Sequence, residues 1–166
     1  MEFDRLASSA KSAHVWLFIQ FARFTAARAG AILSLKWDAV DFISRRIVLG
    51  GSARQKSRAT IPMHPDLAFS LLMAKEAAMT DYVIEWAGEP VKSIKRGFRQ
   101  AVIRAGLDKA VTPHTLRHTA ASWMAEAGIP MSEIAAVLGH RDSRTTERVY
   151  AKFSPEYLQK AVRALG

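Results

Sequence analysis

The sequence predicts a mainly helical domain that carries a small antiparallel β-sheet, an α+β fold. Three observations lead there. Apolar residues recur at helical spacing along much of the 166-residue chain. Several of these stretches are bounded by capping residues, prolines and glycines. Two short β-prone runs flank one glycine-led loop, as in a hairpin. With 49% hydrophobic residues the chain has enough apolar material to close one core.

Residues 1–12 are mostly polar or small and are expected to form a flexible N-terminal segment. A helix is expected from Ala13 to Phe24 and a second from about Arg28 to Leu35. The stretch Val15–Phe24 is strongly apolar, but Gln20 and Arg23 interrupt it. It is far shorter than the roughly 20 residues needed to cross a bilayer, and it lacks the flanks of a signal peptide. Ile47-Val48-Leu49 and Ala59–Met63 are the β-prone runs, joined by the cationic loop Gly50–Arg58. Pro65 opens a helix with Leu67, Leu71, Ala74 and Ala78 on one side. A further helix is expected over Val91–Ala105, ending at Gly106 and carrying Lys92, Lys95, Arg96, Arg99 and Arg104.

The last third is the best punctuated. Thr112-Pro113 is an N-cap followed by proline at the first helical position. Leu116, Ala120, Trp123, Met124 and Ala127 form the apolar stripe of that helix, and Gly128 and Pro130 end it. Ser132–Leu138 is a second helix, closed by Gly139. Asp142 or Ser143 caps a third that reaches Tyr150. Ser154-Pro155 starts a final amphipathic helix with Leu158, Ala161, Val162 and Leu165 on one side.

Charge narrows the function. Lys plus Arg outnumber Asp plus Glu by 24 to 15, for a net charge of +9 and a pI near 10.3. That is the electrostatic footprint of a polyanion binder, although a basic protein without a nucleic acid partner has the same composition. There is no cysteine, which excludes disulfides and thiolate metal sites and fits an intracellular protein.

Three short features carry candidate chemistry. In Pro113-His114-Thr115-Leu116-Arg117-His118-Thr119, His114 and Arg117 lie three apart and share a helix face. A proton-exchanging imidazole beside a fixed guanidinium suits a reacting phosphate. Leu138-Gly139-His140 puts a histidine just past a helix end, and Thr145–Tyr150 ends in a tyrosine. Taken singly, each has an ordinary structural explanation as surface polarity, helix-end compensation or packing.

Together, in this order and spacing, they resemble the C-terminal signature of the tyrosine recombinases, the phage integrase family. Upstream, Thr25-Ala26-Ala27-Arg28 followed by Leu33–Asp38 looks like that family's first-arginine box. The basic hairpin ending in Ile61-Pro62-Met63 looks like its lysine-bearing segment, so the resemblance covers roughly residues 13–165. It departs from the family in having Ala26 and Ala31 where glycine and glutamate are usual, and in one extra residue between His140 and Tyr150.

The resemblance implies a catalytic domain over residues 13–166, without the family's N-terminal core-binding domain. It implies site-specific cleavage and rejoining of double-stranded DNA through a 3′-phosphotyrosine. Arg28 and Arg117 would clamp the scissile phosphate and Tyr150 would be the nucleophile. His114 would accept its proton, and His140 would bind the phosphate or orient Tyr150. Lys56 would protonate the leaving 5′-oxygen, with Arg54 and Arg58 as DNA-binding neighbours either of which could align in its place. Neither metal nor cofactor would be needed. The partners would be DNA and further protomers in a tetramer on paired sites, with the last helix packing in cis or on a neighbour. The setting would be a bacterial cytoplasm, at the nucleoid, with no membrane. A non-catalytic DNA-binding relative and a type IB topoisomerase-like enzyme are the competing expectations.

Overall fold

A computed structural model describes residues 2–50, 59–140, 142–155 and 159–163. In chain order its helices are α1 (Glu2–Ser8), α2 (Ala13–Thr25), α3 (Ala29–Leu33), α4 (Pro65–Glu76), α5 (Lys95–Arg104), α6 (Pro113–Glu126), α7 (Met131–Leu138), α8 (Arg144–Tyr150) and α9 (Gln159–Arg163). The strands are β1 (Val40–Asp41), β2 (Arg46–Leu49), β3 (Ala59–Pro62), β4 (Glu85–Trp86) and β5 (Glu89–Pro90). The expected class, mainly helical with a small antiparallel sheet, is the class observed.

Helix α2 is the axis of the domain. Val15, Leu17, Phe18, Ile19, Phe21 and Ala22 are all buried, and a helix apolar around most of its circumference must be enclosed. α1, α4 and α6 pack around it. α5 approaches most closely at Gly97, where a Cβ would stand 2.5 Å from Val15 Cγ2.

The beginning of the chain differs from expectation. Instead of a flexible segment, Glu2–Ser8 forms α1, with Phe3, Leu6 and Ala7 buried in the main core. Their i, i+3, i+4 spacing marks one helical face. Seven residues are too short a run to stand out in a periodicity window of about 11 or more.

The hairpin is present as β2 and β3, antiparallel from Arg46↔Pro62 to Leu49↔Ala59, with Ile47 and Ile61 turned into the core. Gly51–Arg58, and with it Arg54, Lys56 and Arg58, lies outside the described residues. β1 pairs on the other edge of β2. Its turn is fastened by the Asp41 carboxylate, which accepts from the backbone N–H groups of Ile43 and Ser44. β4 and β5 form a second hairpin, closed by Ala87 and Gly88, both at positive φ (53° and 76°). These strands of two residues are too short to show alternation in the sequence. The Val91 N–H donates to Ile84 O, which extends that hairpin, so α5 starts at Lys95 rather than Val91.

The capping expectations fare better. Thr112 and Thr115 form a reciprocal capping box at the start of α6. Gly128 (φ 76°) and Gly139 (φ 63°) adopt the left-handed conformation just past α6 and α7. Asp142 accepts from the Arg144 N–H and leads the chain into α8. A second apolar cluster forms among α6, α7 and α8, made of Ala26, Ala120, Ala121, Ala125, Ile134, Leu138 and Tyr150. Of the final stripe, Val162 is exposed, while Leu158, Leu165 and the Ala161 side chain lie outside the described residues. Among the described residues no helix is long and apolar enough to cross a membrane.

The close approach at Gly97 gives a stability test. Gly97→Ala should lower unfolding free energy by about 1–3 kcal/mol through overpacking against Val15. Alanine's better helix propensity, about 1 kcal/mol, opposes this only in part. Denaturant melts that show no loss would mean that α2 and α5 can separate freely.

Candidate active site

The site lies where α6, the end of α7 and the end of α8 meet the turn between α2 and α3. α6 presents His114, Arg117 and His118, spaced so that all three face one side. Arg117 is only 5% exposed, and its guanidinium is held by backbone. Nη1 donates to Ala26 O at 2.8 Å and Nη2 to Leu138 O at 2.8 Å. Nη2 also lies 3.1 Å from His140 Nε2. A guanidinium has five N–H donors, so Nε and the second Nη1 hydrogen remain for another acceptor. Burial pushes the Arg117 pKa down to about 10, Arg28 adds to that, and Tyr150 opposes it. Arg117 is therefore still a cation at neutral pH.

The carbonyls that hold Arg117 are set by helix ends. Ala26 caps α2 in the left-handed region (φ 50°, ψ 22°), which aims its carbonyl at Arg117. An alanine there costs about 1 kcal/mol relative to the usual glycine, while its methyl is buried in the second cluster. Gly139 turns the end of α7, with the His140 N–H donating back to Ala135 O. That turn brings the His140 ring onto Arg117.

The orientation of His140 follows from its partners. Arginine can only donate, so Nε2 accepts, and the ring proton sits on Nδ1, facing Thr146 Oγ1 at 2.9 Å. Thr146 is fully buried. This hydroxyl orients the ring. Burial lowers the His140 pKa, Arg117 and Arg28 lower it further, and Asp142 pulls the other way.

Tyr150 is 4% exposed, with its ring in the second apolar cluster. Its hydroxyl meets His118 Nδ1 at 2.6 Å, not His114. His118 Nε2 in turn meets His114 Nε2 at 2.9 Å, with the rings edge to face. Burial raises the phenol pKa, partly offset by Arg117. The His118 pKa is lowered by burial first, then by His114 and Arg117. At neutral pH the pair is therefore a protonated phenol against a neutral imidazole.

Of the residues singled out in the sequence, His114, Arg117, His140 and Tyr150 converge here. Arg28 is half-buried at the start of α3, close enough for its charge to depress both Arg117 and His140. Lys56, Arg54 and Arg58 cannot be placed, being outside the described residues. Sequence reasoning assigned no role to His118 or Thr146. His118 was detectable as the i+4 neighbour of His114, and Thr146 as the only hydroxyl of its pair that falls on the inward face of α8. Among the described residues no group of three or more His, Asp or Glu is arranged to hold a metal ion.

Comparison with known proteins gives the class. A family profile described as the phage integrase family matches residues 2–156, so the chain belongs to that family. Tyrosine recombinase XerC of Chlamydia caviae is 33% identical over 120 residues, covering 66% of this chain and 38% of XerC. The catalytic domain of bacteriophage HP1 integrase superposes with a TM-score of 0.73 at 25% identity, covering 98% of this chain and 90% of that one. A lambda integrase tetramer bound to a Holliday junction gives a TM-score of 0.73 at 22% identity over 94% of this chain and 48% of that one. The chain spans roughly two-fifths or less of the length of the curated relatives it matches, 38% in the case just given and 20% for the XerC of Chlamydia pneumoniae.

Two tests follow from the geometry. Thr146→Val keeps the shape but removes the hydroxyl that faces His140 Nδ1. It should cost about 1 kcal/mol and leave the Nδ1 proton, still fixed there by Arg117 on Nε2, without its acceptor, visible as a change in the ring ¹⁵N shifts. Unchanged shifts would count against the assigned orientation. The second test uses pH. His14, His118 and His140 all have folded-state pKa values below 6.5, so the unfolded chain takes up protons first as pH falls. Stability should be full above that value and decline as pH drops through it, before the carboxylates titrate. Melting temperatures that stay flat between about pH 7.5 and 5.5 would contradict this.

Proposed function

We propose that this chain is the catalytic domain of a tyrosine-type site-specific recombinase, cutting and rejoining double-stranded DNA through a covalent 3′-phosphotyrosine. The carrying observation is a buried tyrosine hydroxyl held on an imidazole beside a buried arginine that has donors to spare. Phosphoryl transfer places charge on the non-bridging oxygens, and preorganised guanidinium groups stabilise it there. Arg117 and Arg28 take that role. Tyr150 attacks in line with the leaving 5′-oxygen, and the P–O5′ bond is exchanged for a P–Oη bond. His140, with both ring nitrogens taken by Arg117 and Thr146, positions the arginine that meets the phosphate. Lys56 is the proposed acid for the 5′-oxygen, with Arg54 and Arg58, its near neighbours in sequence, as contacts to the DNA backbone. The tyrosine ester conserves the bond energy, so ATP is not needed, and the arginines take the charge-stabilising role that a metal has elsewhere.

The substrate reading is supported by the charge of +9 and by the exposed Lys95, Arg96 and Arg99 on α5. Arg104 on the same helix has a structural task, its Nε donating to Ser9 O at 2.8 Å. The lambda integrase tetramer on a Holliday junction supports an assembly of further protomers on paired sites. A DNA substrate fits a location at the nucleoid, and bacterial relatives such as the Chlamydia caviae XerC support a bacterial cytoplasm.

The test is a nicked suicide duplex carrying a site selected for binding from random DNA. Wild type should form a covalent protein–DNA adduct. Tyr150→Phe should form none while binding with similar affinity, and Arg117→Ala should slow adduct formation by about 10²–10³-fold. Adduct from Tyr150→Phe at the wild-type level would remove Tyr150 as nucleophile. Salt-dependent binding with no adduct from any variant would make the chain a DNA-binding module.

A further inference from the structure

The residue on the tyrosine hydroxyl is His118, which the sequence motif passes over in favour of His114. His114 is the outer member of a chain that runs from Tyr150 Oη to His118 Nδ1 at 2.6 Å, then from His118 Nε2 to His114 Nε2 at 2.9 Å. With the phenol as donor, His118 carries its proton on Nε2 and donates it to His114, whose own proton is then on Nδ1. Every donor in this arrangement meets an acceptor. Both imidazoles are exposed on their outer sides, whereas Tyr150 is enclosed. The hydroxyl therefore reaches solvent by way of these two rings.

We propose that His118 is the catalytic base for Tyr150 and relays the proton to His114. This deepens the strand-cleavage reading above and rests on it. In the cleavage step the Tyr150 O–H bond breaks as Oη forms its bond to phosphorus. The proton moves to His118 Nδ1, the Nε2 proton moves to His114 Nε2, and His114 becomes the imidazolium, which exchanges with water. The electron pair of the broken P–O5′ bond leaves with the 5′-oxygen, which takes a proton from the general acid. On rejoining, the 5′-hydroxyl attacks and returns its proton to the conjugate base of the general acid, the P–Oη bond breaks, and Oη recovers its proton through the same pair.

The charged and titratable groups that act on His118 are His114 and Arg117 from its own helix and Tyr150 from α8. Burial and the Arg117 charge favour the neutral ring, which is the form a base needs. That preference predicts an acid limb in the cleavage rate, with activity falling as His118 becomes protonated below the ordinary imidazole range.

The experiment measures single-turnover adduct formation on the nicked suicide duplex from pH 5 to 9. The proteins are wild type, His118→Gln and His118→Ala, with folding checked by melting and DNA affinity by anisotropy. His118→Gln keeps a hydrogen-bonding side chain but cannot carry a proton. It should slow adduct formation by about 10²-fold or more, flatten the acid limb and leave DNA affinity unchanged. His118→Ala should be rescued in a saturable way by added imidazole, because the vacated position is open to solvent. Cleavage by His118→Gln at the wild-type rate overturns the proposal, as does a slower rate with an unaltered pH profile or no rescue of His118→Ala. No adduct from wild type overturns the strand-cleavage reading itself, and this one with it.

Discussion

A buried positive charge held by backbone carbonyls organises this domain. Arg117 is 5% exposed, and among the described residues no carboxylate pairs with it. Enclosing an ion costs several kcal/mol unless its donors are satisfied. Here two helix C-termini supply the acceptors. Ala26 O closes α2 and Leu138 O closes α7, and both ends carry the negative pole of a helix dipole. The left-handed conformations of Ala26 and Gly139 are the local consequence. A carboxylate in the same place would have neutralised the guanidinium. Backbone dipoles hold it in position and leave its full charge for an incoming anion.

The same field governs the imidazoles. Arg117 and Arg28 lower His140, and Arg117 lowers His118 after burial has already done so. The free site therefore has fixed cations, neutral imidazoles and a protonated phenol. A phosphodiester seated on the arginines would offset their charge and raise the basicity of the rings beside them. A phosphodiester would thus strengthen the proposed base as it reached the proposed nucleophile, which follows from charge balance alone.

Much of this was legible before any coordinates, and the reason differs by element. Thr112-Pro113, Gly128 and Gly139 are local signals, since capping and positive φ are satisfied within one turn of chain. The helical class and the β2–β3 hairpin were legible from periodicity and turn residues. The burial of α1 was not, because Phe3, Leu6 and Ala7 acquire meaning only against the core they meet. The partner of Tyr150 was hidden for a related reason. His114 and His118 lie one turn apart on one helix face, and only the packing of α8 on α6 decides which of them the hydroxyl reaches. The distinction is tertiary, and spacing along the chain cannot express it.

The second apolar cluster is built largely of alanines, with Ile134, Leu138 and Tyr150 as its large members. Small side chains remove little area from water, so each contributes little to holding the helices together. α8 adds only Thr146 and Tyr150 to the buried set, and the turn beyond it leaves Phe153 39% exposed. In hydrogen-exchange terms, α8 belongs to the low end of the opening free-energy scale, and α2 to the high end. On that scale the helix that carries Tyr150 should open at lower cost than the main core, so the proposed nucleophile stands on a lightly fastened element.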